Sequence, residues 1–121
     1  MTVAIWAGVM LIGGLGSVAR FMVDRAVARR AARSFPFGTL AVNISGAALL
    51  GFVAGLTLSH HAALLAGTAF LGAYTTFSTW MLETQRLTEE RQILPALANL
   101  VVSVVLGVPA ALLGQWIASL L

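Results

Sequence analysis

There is no cysteine in this sequence and no lysine. The first absence removes disulfide frameworks and thiolate metal sites, and leaves the compartment open. Charge of either sign is scarce: Asp, Glu, Lys and Arg make up 9% of the chain, against roughly 25% in an ordinary soluble domain. So few charged groups cannot cover a soluble core. What is present is apolar, 60% of the residues, and a membrane is the solvent that suits such a chain.

A helix crossing the hydrocarbon layer needs about 20 mainly apolar residues. Four charge-free runs approach or exceed that length: Thr2 to Ala19, Phe35 to Ser59, Ala62 to Leu82 and Gln92 to Leu121. None alternates apolar with polar residues, as barrel strands would. The expected fold is all-α and integral to the membrane, one domain over 1–121, with spans near 2–23, 35–58, 62–83 and 93–120. No arginine precedes the first run, and Gly16, Ser17 and Arg20 continue it, so it reads as a retained span rather than a secretory signal.

The links are short. The basic stretch Asp24 to Arg33 favours helix and prolongs the first span into the headgroups, with Pro36 and Gly38 marking its end. The second link is Leu58-Ser59-His60-His61, and the third runs from Glu83 to Arg91 before Pro95. All the arginines (Arg20, Arg25, Arg29, Arg30, Arg33, Arg86, Arg91) lie at the face shared by the first and third links. By the positive-inside rule those links face the cytoplasm of a cell (inner or plasma) membrane and both termini lie outside. A pI near 11 therefore reflects topology, not nucleic-acid binding. Adjacent His60 and His61 diverge and lack further ligands, so they read as interfacial loop residues. Glu83, Glu89 and Glu90 sit at helical spacings from Arg86 and Arg91 and read as a solvated, ion-paired face.

Polar groups inside a span are costly, and that is where function is sought. Thr39, Asn43, Ala47, Gly51 and Gly55 recur every fourth residue on the second helix. Asn99, Ser103, Gly107, Ala111 and Gln115 do so on the fourth. Small faces of this kind suit close helix packing. The third span is different: Gly72-Ala73-Tyr74-Thr75-Thr76-Phe77-Ser78-Thr79-Trp80 crowds hydroxyls and aromatics at mid-membrane depth. Its hydroxyls can bond backbone carbonyls, which points to a helix broken near its middle. Carbonyls freed by a break suit a hard cation such as sodium. Phe77 and Trp80, three apart, share a face able to line a narrow path.

These residues resemble the Fluc family, also called CrcB, of small fluoride channels, over nearly the whole chain. Gly13-Gly14-Leu15-Gly16-Ser17-Val18-Ala19-Arg20 resembles GGxxGAxxR, Gly38-Thr39-Leu40-Ala41-Val42-Asn43-Ile44-Ser45-Gly46 resembles GTLxVNxxG, and Gly72 to Trp80 is similar to GGxTTFSTF. The resemblance implies an antiparallel dual-topology dimer that exports fluoride passively to relieve its toxicity, with a structural Na+ at its centre. It assigns Asn43, Phe77, Trp80, Ser103, Asn99 and Thr79 to the pore and Arg20 to a positive entrance, and gives the backbone carbonyls of Gly72 and Thr75 to sodium. Aromatic edges carry partial positive charge and can replace part of an anion's water.

The chain departs from the pattern at Trp80, where the family has phenylalanine, at Ala73, where it has glycine, and at Gly107, where some members carry a hydroxyl. The one-sided arginines also favour a fixed orientation, hence pairing with an oppositely oriented paralogue over pairing with itself. Two other readings explain less. A small multidrug-resistance-type exporter needs a membrane-embedded carboxylate, which no span has near its centre, and a non-transporting assembly subunit has no use for Thr75-Thr76-Phe77-Ser78-Thr79. No nucleophile, base and acid can be assembled at membrane depth, so the chain does not read as an enzyme.

Overall fold

The computed structural model describes residues 2–31 and 33–121; Ala32, inside the basic stretch, lies outside them. Among the described residues every regular element is helical. Helix α1 (Val3–Arg30) is capped by the Thr2 hydroxyl, which accepts the Ile5 N–H. Its 28 residues extend about 42 Å, more than a crossing of the hydrocarbon layer requires, and its last turn is basic, with Arg29 and Arg30. Helix α2 is Phe37–Gly55 and helix α6 is Ile93–Ser119. These three helices are long and apolar enough to cross a membrane.

The remaining apolar run is interrupted. It begins as α3 (His60–Ala63), widens into a π-helical stretch over Leu64–Leu71, returns to α-helix for α4 (Gly72–Tyr74), and breaks at Thr75. Helix α5 (Ser78–Glu89) then resumes the path. The break falls within the hydroxyl-rich segment. Cumulative crowding of Thr75, Thr76, Ser78 and Thr79 is the local cause, because their side chains offer the backbone alternatives to its own ladder. π turns commonly accompany functional distortions of this kind.

The most extensive packing is between α2 and α6. The small-residue faces seen in the sequence meet there: a Cβ on Gly51 would come within 1.9 Å of the Ala111 carbonyl oxygen and one on Gly55 within 3.1 Å of that of Gln115, and beside them one on Gly114 would come within 1.9 Å of that of Ala48. In lipid, where apolar burial does not drive helices together, such backbone approach supplies the van der Waals contact. The buried core is small, Val42, Leu71 and Tyr74, with Ala19, Val23, Val53 and Phe70 packed on it. Large apolar side chains cover the outside instead, among them Leu11, Leu15, Val101, Val105 and Leu112.

The first and third links meet at one end of the bundle. Arg86 donates to the Ser34 carbonyl at 2.8 Å, and the Ser34 hydroxyl donates to Gln92 Oε1 at 3.0 Å. Arg86 and Glu90 form the expected exposed ion pair at 3.0 Å. Glu83 does not join that face: it accepts a hydrogen bond from the Thr39 hydroxyl of α2. It lies about a turn before Arg86 on α5, on the side packed toward α2, which offers the Thr39 hydroxyl as its donor.

Candidate pore site

Asn43 reaches from α2 onto the break. Its Oδ1 accepts the Thr76 N–H at 2.9 Å, and its Nδ2 donates to the Thr76 carbonyl at 2.9 Å. One side-chain amide thus pairs with both backbone groups of one residue, replacing helical partners that the break removes. A primary amide has a second N–H, not used by the two bonds to Thr76, and Asn43 borders an open groove.

Two backbone donors are diverted at the break. The Thr76 N–H goes to Asn43, and the Thr79 N–H goes to Thr76 Oγ1 at 3.1 Å, so that Thr76 caps α5. Those N–H groups would otherwise serve the carbonyls four residues earlier, which are those of Gly72 and Thr75. Thr75 itself stays tied to the preceding turn, its N–H and hydroxyl both reaching the Leu71 carbonyl at 2.9 Å. The Tyr74 and Ser45 hydroxyls, 2.9 Å apart, fasten the break to α2 from the other side.

The groove has a volume of about 380 Å³ and brings together Asn43, Phe77, Trp80 and Ser103, with Thr76 and Gly107 beside them. Among the described residues, no charged one lines it. The Phe77 and Trp80 rings meet edge to face, centroids 5.7 Å apart and planes at 86°. Phe77 is 69% exposed in the single chain. Ser103 Oγ is buried and has no partner among the described residues. The groove is therefore lined by an amide, by hydroxyl-bearing residues and by two aromatic rings, residue types that can solvate an anion through N–H, O–H and ring-edge groups.

Of the residues expected at the pore, Thr79 and Asn99 do not line this groove, whereas Thr75, expected with Gly72 at a sodium site, borders it. Arg20 and Thr79 line a separate polar cavity of about 200 Å³, with Ser17, Asp24 and Thr39, on the far side of Thr76, which borders both spaces. Asn99 is fully buried between α5 and α6, where its Nδ2 donates to Thr84 Oγ1 at 2.8 Å. The indole N–H of Trp80, which by type could have served an anion, donates instead to the Asn99 carbonyl at 3.0 Å. Gly72 and Thr75 border a wide depression of about 540 Å³ with Thr57 and Thr68.

Sequence reasoning did not single out Thr76, Thr84 or Glu83 for the site. Thr76 is one hydroxyl among several in its segment. Thr84 is four residues after Trp80, a spacing that puts both on one face, and Glu83 is the first charge after the third apolar run; those were the available signals.

A family model described as "CrcB-like protein, Camphor Resistance (CrcB)" matches residues 7–115. The chain belongs to the CrcB family. It is 77% identical over 120 residues to the "Fluoride-specific ion channel FluC 2" of Mycobacterium bovis, covering 99% of this chain and 95% of that one. The protein of the same name from Mycolicibacterium paratuberculosis is 75% identical over 119 residues, 98% of each chain. The "Fluoride-specific ion channel FluC 1" of Leifsonia xyli subsp. xyli is 42% identical over 124 residues, 99% of this chain and 90% of that one. As a CrcB protein with apolar membrane-length helices, the chain is a multi-pass membrane protein.

Proposed function

We propose that this CrcB chain conducts fluoride passively across the cell membrane as one half of an antiparallel dimer. It is a conduit and not an enzyme. The observation that carries the reading is the uncharged groove at the broken helix, which brings together Asn43, Ser103, Phe77 and Trp80 with, among the described residues, no carboxylate to repel an anion and no arginine to hold it. Such a lining replaces part of a halide's water while binding weakly enough for release. The groove is open along one side, and a second, inverted chain would close it into a pore and shield the exposed Phe77 from lipid.

The Arg20 cavity would serve as a positive approach to that pore. The Gly72 and Thr75 carbonyls, deprived of their helical donors, fit a sodium ion shared between the subunits. When bound, the ion would supply positive charge that satisfies both broken helices and ties the pair together. The arginine-rich end faces the cytoplasm in this reading, with both termini outside. So strong a bias favours an oppositely oriented paralogue as the partner.

The test is efflux from liposomes containing the chain alone, or with such a partner, measured for fluoride and chloride. Rapid loss of fluoride with chloride retained is expected, and Phe77→Ile should reduce it sharply. Vesicles that retain fluoride under both conditions would overturn the channel reading. Robust fluoride efflux from the purified chain alone would overturn obligate pairing.

A further inference from the structure

Beside the break, α5 and α6 hold each other through a reciprocal set of hydrogen bonds. The Trp80 indole N–H donates to the Asn99 backbone carbonyl at 3.0 Å, while the Asn99 side chain donates back toward the Trp80 carbonyl at 3.4 Å. Thr84 completes the set: its hydroxyl donates to the Trp80 carbonyl at 2.9 Å and accepts from Asn99 Nδ2 at 2.8 Å. Each of Trp80 and Asn99 thus grips the other's backbone with its side chain.

Asn99 has no surface in the groove: its exposure is 0%, and its Oδ1 has no partner among the described residues. A buried amide with an orphaned oxygen costs stability, so a fold optimised for packing alone would place an apolar residue there. Its geometry serves Trp80 instead.

We infer that Asn99 and Thr84 are positioning residues that act through Trp80: they hold the indole so that its C–H edge faces the groove while its N–H is withheld from the ion. An indole N–H is a stronger anion donor than a ring C–H. Free in the groove, it would retain a small, hard halide and slow its exit, because conduction requires weak binding at each step. The clamp lets a bulky indole stand beside Phe77 and still present a phenylalanine-like edge. It also gives Asn99, on the polar face of α6, a task other than touching the ion.

The transport arm of this inference rests on the channel reading, and the decisive experiment is a double-mutant cycle on fluoride efflux. Asn99→Ala keeps the backbone carbonyl that accepts the indole N–H but removes the side-chain bonds to Trp80 and Thr84 that hold the pair in register; it should slow efflux by roughly fivefold, on the scale of one lost hydrogen bond. In the Trp80→Phe background, which has no N–H to release, the same change should have no further effect. Thr84→Val, which keeps the side-chain shape, should behave as Asn99→Ala does in both backgrounds and covers the case in which Asn99→Ala fails to fold. An equal reduction in both backgrounds would overturn the inference, since it would mean that Asn99 meets the ion directly. A second readout needs no transport: indole N–H exchange followed by NMR on protein labelled at tryptophan, with Trp6→Phe and Trp116→Phe identifying the Trp80 signal. That N–H should be protected, and should exchange roughly tenfold faster in Asn99→Ala or Thr84→Val. An unchanged rate would overturn the clamp. If wild-type vesicles hold fluoride, the channel reading falls and the NMR arm still decides the clamp.

Discussion

Replacing Asn43 with alanine removes a side chain that satisfies both the N–H and the carbonyl of Thr76. Each buried backbone group left without a partner costs about 1–3 kcal/mol, so the pair could cost about 2–6 kcal/mol. Asn43 borders the open groove, and water entering there would compensate in part, which favours the lower end, about 2 kcal/mol. An opening equilibrium altered by that amount changes roughly 30-fold, since every 1.4 kcal/mol is a factor of about ten. Hydrogen exchange of the Thr76 amide in detergent reads this directly: the rate should rise about 30-fold in Asn43→Ala. The Thr75 amide, bonded to the Leu71 carbonyl, should change much less and serves as an internal control. Fluoride efflux should fall in the same variant, through loss of both the free amide hydrogen and the shape of the break. A Thr76 amide that exchanges at its wild-type rate would refute the argument that Asn43 maintains the interrupted backbone.

Ser103→Ala removes a buried hydroxyl that has no partner among the described residues. Thermal unfolding should show stability unchanged or raised by up to about 1 kcal/mol, while efflux slows; a clear loss of stability would assign the hydroxyl to packing. Gly51→Val places a branched side chain against the Ala111 backbone, which would lie 1.9 Å from a Cβ. It should destabilise the protein by at least about 1–3 kcal/mol, seen as a lower melting temperature or loss of folded protein in detergent. Thr57 adopts φ 51° just beyond α2, a left-handed conformation costing a β-branched residue about 1–2 kcal/mol. Thr57→Gly should accordingly raise thermal stability, and a drop would show that the methyl and hydroxyl contribute more than the strain costs.

Much of the architecture follows from composition and spacing. Long charge-free runs leave helices in lipid as the available form, and the arginines at Arg25 to Arg33 and at Arg86 and Arg91 set the first and third links apart from the second. The four-residue recurrence of Gly51, Gly55, Ala111 and Gln115 marks faces that can pack closely, and the structure packs α2 on α6. The break is also visible in one dimension, because hydroxyl-rich Thr75 to Thr79 carries its own competition with the helical ladder. Partners across the bundle are not visible in that way. Spacing along α6 places Asn99 and Ser103 on one face, yet Ser103 reaches the groove while Asn99 turns to Thr84 and Trp80. Glu83 sits at helical spacing from Arg86, yet it takes its hydrogen bond from Thr39, 44 residues earlier.

Sequence alone therefore determined the solvent, the helices and the place where one of them fails, because these depend on hydropathy and on short-range competition for backbone hydrogen bonds. Tertiary structure alone decided which donors are spent and which stay free. The Trp80 N–H is consumed by a carbonyl 19 residues away, and the Asn43 amide is engaged with a backbone 33 residues away. Hydrogen-bonding capacity belongs to a residue type, but its availability depends on what the fold brings within about 3 Å.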